Sequence, residues 1–363
     1  LKIAVVGSGN GSYAAAADFG LKGHRVRMVP GRPTEHTELL ETGSITRTGV
    51  GLQGTALLDK VTDDPAEALD DAEIVVSMDP AITQERRARL LAPHLRPGQI
   101  VILSPGSLGA PAFAKILRME GGADNLVFAE PGTLPYLARK SAPTTVNISG
   151  EAVNLPVGVF PAAHTAEAME CIRILYPNSH SVENALSVFL LNVGPTIHSV
   201  LVLLNTGPIE RLDSWDIHNE GSTPSVIKLI LALDAERIAL RNTLGFSPPH
   251  YPIRDHYQPQ GDREWMYGRR GRDDIVKSRD WHEKLSYDHR YIQEDVRMNL
   301  TLLSSVGEFY GVPTPIANSI LALVGPILDE DLRVTGRTLQ SLGLASMTAQ
   351  QLTAFLETGL KSN

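Results

Sequence analysis

Residues 2–6 form a short apolar run, followed by Gly7-Ser8-Gly9-Asn10-Gly11-Ser12 and the alanine-rich stretch Tyr13 to Leu21. That order predicts a strand, a glycine turn and a helix. A second β-type run, His24 to Val29, is spaced as the next strand of a parallel βαβ unit. Further strand candidates, Ile74 to Met78, Ile100 to Leu103, Leu126 to Ala129 and Thr145 to Ile148, alternate with polar or helical stretches. Such alternation favours a parallel sheet flanked by helices. Beyond about residue 183 the pattern changes to long helical segments, among them Ser225 to Leu244, Ile292 to Tyr310 and Thr314 to Leu328. The expected fold is an α/β N-terminal, Rossmann-like doubly wound sheet over residues 1–183, joined to a mainly α C-terminal domain over residues 184–363.

Composition narrows the class. A length of 363 residues suits two domains at about 150 residues each, and 20% charged residues is the ordinary globular balance rather than that of a disordered chain. The net charge of −8 argues against nonspecific nucleic-acid binding. Cys171 is the one cysteine, so an intrachain disulfide, a cysteine zinc site and an iron–sulfur cluster within one chain are excluded. A reducing, cytoplasmic setting is expected, and no signal-peptide pattern stands ahead of Lys2 to Gly7. Ala185 to Leu204 is uncharged and long enough to cross a bilayer. Its Asn192, Gly194-Pro195 and His198 are costly in lipid, so a buried helix pair is expected and no membrane association.

The glycine turn is the first candidate site. Glycines at 7, 9 and 11 would serve any tight turn, but between a strand and a helix they suit a dinucleotide, with Gly7, Gly9, Asn10, Gly11 and Ser12 as cofactor-binding residues. An acidic residue at the end of the second strand would accept hydrogen bonds from the ribose of NAD. Here the chain reads Met28-Val29-Pro30-Gly31-Arg32, and Arg32 is placed for a phosphate contact. NADP is the preferred cofactor on this reading, with NAD still compatible. Ser104 to Ser107, including Pro105 as a cofactor contact, follows a predicted strand, and ligands sit at the carboxyl ends of such strands.

The helical half offers polar residues in apolar surroundings. Asn192, His198 and Asn205 lie in one apolar stretch, and Asn205 falls on nearly the same helical face as His198. A core histidine with satisfied partners is the ordinary explanation; a cleft facing a substrate is the other. Asp288 to Asp295 opens a further helix, and on α-helical spacing Arg290 and Asp295 share a face only if Arg290 lies at or before the first turn. His250 to His289 carries 16 charged residues in 40, twice the fraction of the whole chain, and predicts a long irregular loop or substrate-ordered lid. No His-Glu-x-x-His, Gly-x-Ser-x-Gly or Walker-type loop is present, so no catalytic metal is expected and hydrolase and ATPase readings recede.

Together these segments resemble the octopine/nopaline (opine) dehydrogenase family. The resemblance is carried by Gly7-Ser8-Gly9-Asn10-Gly11, Pro93 to Gln99, Ser104-Pro105-Gly106, Thr133 to Arg139, His198, His289-Arg290-Tyr291 with Glu294-Asp295, and Gly336 to Gly343. It implies an NAD(P)H-dependent reductive condensation of an amino acid with an α-keto acid, acting on a CH–NH bond. By motif position it implies His198 and Asp295 as the catalytic pair, Arg290 as the carboxylate anchor and Thr133 as a substrate contact, while Asn205 is taken as a substrate contact from its helical face. One departure is Glu130-Pro131-Gly132-Thr133, which inserts residues where relatives run from Glu directly to Thr.

Two other functions share this plan. A 2-keto or 2-hydroxy acid reductase would commonly place a lysine at the reacting carbonyl, and no lysine neighbours His198 or Asp295 in sequence. A noncatalytic dinucleotide-binding sensor would not need His198, Arg290 and Asp295 together. The sequence leaves the particular substrates open, and a homodimer as well.

Overall fold

Strands β1 (Lys2–Val6) and β2 (Arg25–Val29) pair in parallel around helix α1 (Asn10–Leu21). The computed structural model describes residues 1–31, 35–257, 265–268, 277 and 281–360. Its contacts divide the chain into two units, Leu1–Val188 and Phe189–Asn363.

In the first unit β1 and β2 belong to an eight-stranded sheet with β5 (Lys60–Val61), β6 (Ile74–Ser77), β7 (Ile100–Leu103), β8 (Val127–Pro131), β11 (Leu155–Phe160) and β12 (Ser179–Ser181). The spatial order is β12-β11-β8-β7-β6-β1-β2-β5. Read from β5, its first six strands follow the doubly wound order, and the winding reverses between β1 and β6. β6 and β7 are buried at every residue, which is why both read as unbroken apolar runs rather than alternations. Antiparallel β11 extends the sheet beyond β8.

The predicted strand at Thr145 to Ile148 is real but belongs elsewhere. It forms β10 (Thr145–Glu151) of a second sheet, ordered β4-β3-β10-β9, with β3 (Ser44–Gly49), β4 (Gly54–Leu57) and β9 (Tyr136–Ala142). Val146 and Ile148 are buried while Thr145 and Asn147 are half-buried, the alternation of a sheet covered on one face. This sheet packs on α1. A buried ionic network holds the two together: Arg47 of β3 pairs with Asp18 of α1 and with Glu151, and the Tyr136 hydroxyl donates to Asp18 at 2.6 Å. Gly20 permits the close approach, since a Cβ there would lie 2.9 Å from that of Ala56.

The second unit is helical, as expected. The apolar stretch Ala185 to Leu204 is two helices, Ala185–Phe189 and Gly194–Leu204, with Gly194 and Pro195 opening the second. Helix Pro224–Thr243 contributes a fully buried Arg237, which donates to Asp234 and to the carbonyls of Leu190, His250 and Tyr251. From the same helix Glu236 accepts from the amides of Ile316 and Ala317, capping helix Pro315–Ile327. Much of the charged segment from His250 to His289, and with it the lid expectation, lies outside the described residues. The described part departs from a solvated loop, because Tyr251, Ile253, Trp265, Met266, Trp281 and Leu285 are buried.

Candidate active site

The glycine turn sits at the carboxyl end of β1, where the winding reverses. Gly7 has φ of +109°, and a Cβ there would meet Asp79 Oδ1 and Ser12 Oγ, each at 3.0 Å. Only glycine fits that bend. Gly9 faces open space and precedes the first turn of α1, which has no side-chain cap and no acidic residue. Helix amides left open in this way attract anions. Gly11 packs toward Met78, and Ser12 Oγ is buried with no hydrogen-bond partner among the described residues.

One residue of this site was not evident in the sequence. Lys140, on β9, donates its backbone amide to Asn10 Oδ1 at 2.9 Å and its ammonium to the Ser8 carbonyl at 3.0 Å, and lies 4.7 Å above the Tyr13 ring. It brings a cation over the turn from 130 residues away in sequence, and no local pattern marks it. Open amides beside a lysine fit the diphosphate of a dinucleotide. Arg32 lies outside the described residues. Ser104 to Ser107 does follow β7, and Ser104, Pro105, Gly106 and Ser107 are all buried. The loop is fixed by Glu130, whose carboxylate accepts from the amides of Ser107, Gly109 and Ala110 at 2.8, 3.1 and 2.8 Å.

The second unit brings His198 and Asp295 together. His198 lies on helix Gly194–Leu204, and its Nδ1 is 2.6 Å from Asp295 Oδ2, with both residues buried. The carboxylate sets the tautomer of the neutral imidazole, hydrogen on Nδ1, and leaves Nε2 as the acceptor. Burial holds His198 well below the ordinary imidazole value, and the charges of Arg290 and His289 add to that shift. Burial lifts Asp295 to about 6 against the opposing pull of Arg290. Near pH 7 the pair is therefore a neutral imidazole beside a carboxylate, ready to accept a proton. Gly194 makes room for it, since a Cβ there would stand 3.0 Å from Asp295 Oδ1.

The condition for bringing Arg290 beside Asp295, that it lie at or before the first turn, is met, because Arg290 is the N-cap residue of the helix that carries Asp295. Residues Tyr291–Leu300 wind as a π-helix, continued by the α-helix Thr301–Tyr310. Bonds from i to i+5 widen each turn, so residues five apart come to one face, as they do not at 3.6 residues per turn. π-Helical turns are rare and frequent at functional sites. Arg290 bonds Glu294 at 3.2 Å and keeps about a third of its side-chain surface exposed, so donors remain for a carboxylate.

Other expected site residues are placed differently. The Asn205 side-chain amide donates to the carbonyls of Leu201 at 2.8 Å and Gly221 at 3.4 Å, backbone partners that set its orientation. Asn192 Oδ1 likewise accepts from the Gly194 amide. Thr133 is buried in the first unit, in the turn between β8 and β9. The residues missed by sequence reasoning here are Tyr291, which stacks on His198, and His218, which bonds Tyr291. Tyr291 stood inside a recognised motif and His218 had no signal.

The alpha-helical domain of NAD/NADP octopine/nopaline dehydrogenase matches residues 181–328. An opine dehydrogenase of Arthrobacter sp. (strain 1C) is 33% identical over 359 residues, covering 98% of each chain. Among solved structures, octopine dehydrogenase in complex with NADH and agmatine superposes with a TM-score of 0.76 at 16% identity, covering 100% of this chain and 99% of that one. Yersinopine dehydrogenase with NADP+ bound superposes with a TM-score of 0.69 at 15% identity, covering 98% of each. The chain belongs to the octopine/nopaline (opine) dehydrogenase family.

Proposed function

We propose that this enzyme, an NAD(P)-dependent oxidoreductase that reductively joins an amino acid to an α-keto acid, moves its protons through His198 and Asp295. The carrying observation is the buried contact of 2.6 Å between them. An amino acid reaches the site mainly as its ammonium form, which cannot attack a carbonyl. His198 Nε2 takes one proton from it, and the amine nitrogen then bonds to the keto carbon as the C=O π pair moves onto oxygen; that oxygen takes the proton the nitrogen sheds, which gives a carbinolamine. Asp295 stabilises the imidazolium so formed. The imidazolium returns a proton to the departing hydroxyl, which leaves as water and yields the protonated imine. When bound, the nicotinamide dinucleotide supplies the hydride that reduces the imine carbon. Arg290 holds a carboxylate of the substrates through its guanidinium fork, and Thr133 is retained as a further substrate contact.

For the cofactor, the preference proposed is NADP. It is supported by the absence of a carboxylate in Met28-Val29-Pro30-Gly31 at the end of β2 and by Arg32 next in sequence. Equal kcat/KM for NADPH and NADH would overturn that preference. The condensation itself is tested by following NADPH oxidation with a panel of keto acids, with and without amino acids, and weighing the product. Turnover should require both substrates and give a secondary amine; full-rate reduction of a keto acid alone would contradict it.

A further inference from the structure

The π-helix meets His198 at two points, and the reaction above uses only one of them. Asp295 takes Nδ1. One π-turn earlier, the ring of Tyr291 lies against the face of the same imidazole, with centroids 3.9 Å apart and planes 21° from parallel. Tyr291 is buried, and its hydroxyl is hydrogen-bonded to His218 Nε2 at 2.9 Å. His218 is set in turn by a tight turn, because its amide and that of Asn219 donate to Asp216 Oδ1. It also meets the edge of His198 at 5.2 Å and Trp281 at 5.6 Å.

We propose that Tyr291, held in place by His218, is a positioning residue for the reaction: its ring fixes the plane of the His198 imidazole and its π-face favours the imidazolium over the neutral ring. An aromatic face is negative and attracts a cation lying over it. The other groups around His198 divide in their effect. Asp295 favours the cation, while Arg290 and His289 oppose it, and His289 is itself near Glu283 at 3.6 Å. The tyrosine face therefore acts in the same direction as Asp295 without adding a second buried charge. A core tyrosine chosen only for volume would need a partner for its hydroxyl but not a ring parallel to the histidine.

The inference rests on His198 as the proton carrier, so His198→Ala is measured alongside. Tyr291→Leu should lower kcat by roughly 10- to 100-fold, a fraction of the 10²- to 10⁴-fold that acid–base assistance contributes in full. It should also move the limb of the pH–rate profile that requires protonated His198 to lower pH, with the dissociation constant of NADPH, read by fluorescence, unchanged. Tyr291→Phe keeps the face and should restore both the limb and most of the rate. Should the leucine variant not fold, phenylalanines of increasing fluorination at position 291, which weaken the π-face at nearly constant shape, should shift the limb stepwise. If His198→Ala is inactive and these substitutions leave the pH profile in place, the positioning role is wrong and the histidine assignment stands. If His198→Ala keeps parent turnover, both fall.

Discussion

Asp295 shows what the site costs the fold. Its carboxyl is buried and lifted to about 6, above the value of about 3.9 for a free aspartate. A carboxyl raised in the folded state stabilises that state relative to its ionised form, so this contribution is present below about pH 4 and is lost as pH rises through about 6. Asp295→Asn removes the penalty while keeping the shape. Its melting temperature should exceed the parent's at pH 7.5, and the gap should close toward pH 4, as read by scanning fluorimetry. The same variant should lose about 10²- to 10⁴-fold in kcat, because the imidazolium loses its counter-charge. A melting difference that does not change with pH would refute the burial argument. Residue identity was legible at His198, Arg290 and Asp295 because these polar types stand out within shared motifs. The hydrogen-bond partners of Asn205 were not, because a buried amide can bond backbone carbonyls such as those of Leu201 and Gly221, and sequence does not reveal which groups lie near it.

At the scale of elements, the decisive feature is one that periodicity cannot show. α-Helical spacing brings 290 and 295 together only with Arg290 at or before the first turn; Arg290 is the N-cap residue, and the π-winding of Tyr291–Leu300 adds to the convergence. The neighbouring helix is fitted to it by Gly194, whose missing Cβ leaves 3.0 Å for Asp295 Oδ1. Gly194→Ala should displace the carboxylate. We expect at least a tenfold fall in kcat, of the size that disturbed acid–base assistance gives, with the fold and NADPH affinity retained. Parent kcat in the alanine variant would show that Asp295 tolerates the shift. A comparable lesson comes from β10: the run Thr145 to Ile148 was correctly read as a strand, but which sheet it joins is decided by the β9 hairpin and by packing on α1, not by its own residues.

Across the whole molecule, local signals were enough for the doubly wound sheet, because the glycine turn and the apolar strands each carry their own pattern. The second sheet, the Asp18–Arg47–Glu151 network and Lys140 depend on partners far away in sequence, so no window along the chain contains them. Lys140→Ala should weaken NADPH and NADH binding alike, by about tenfold if one charge-assisted contact is lost, and unchanged dissociation constants for both would remove the residue from the cofactor site. The central claim joins the two units' chemistry: the first binds the dinucleotide, and the second handles protons through His198. It is tested most directly by His198→Ala in a paired measurement, turnover with amino acid and keto acid beside the dissociation constant of NADPH. The account predicts that turnover falls by about 10²- to 10⁴-fold while cofactor affinity is kept; a folded variant with near-parent kcat would contradict it.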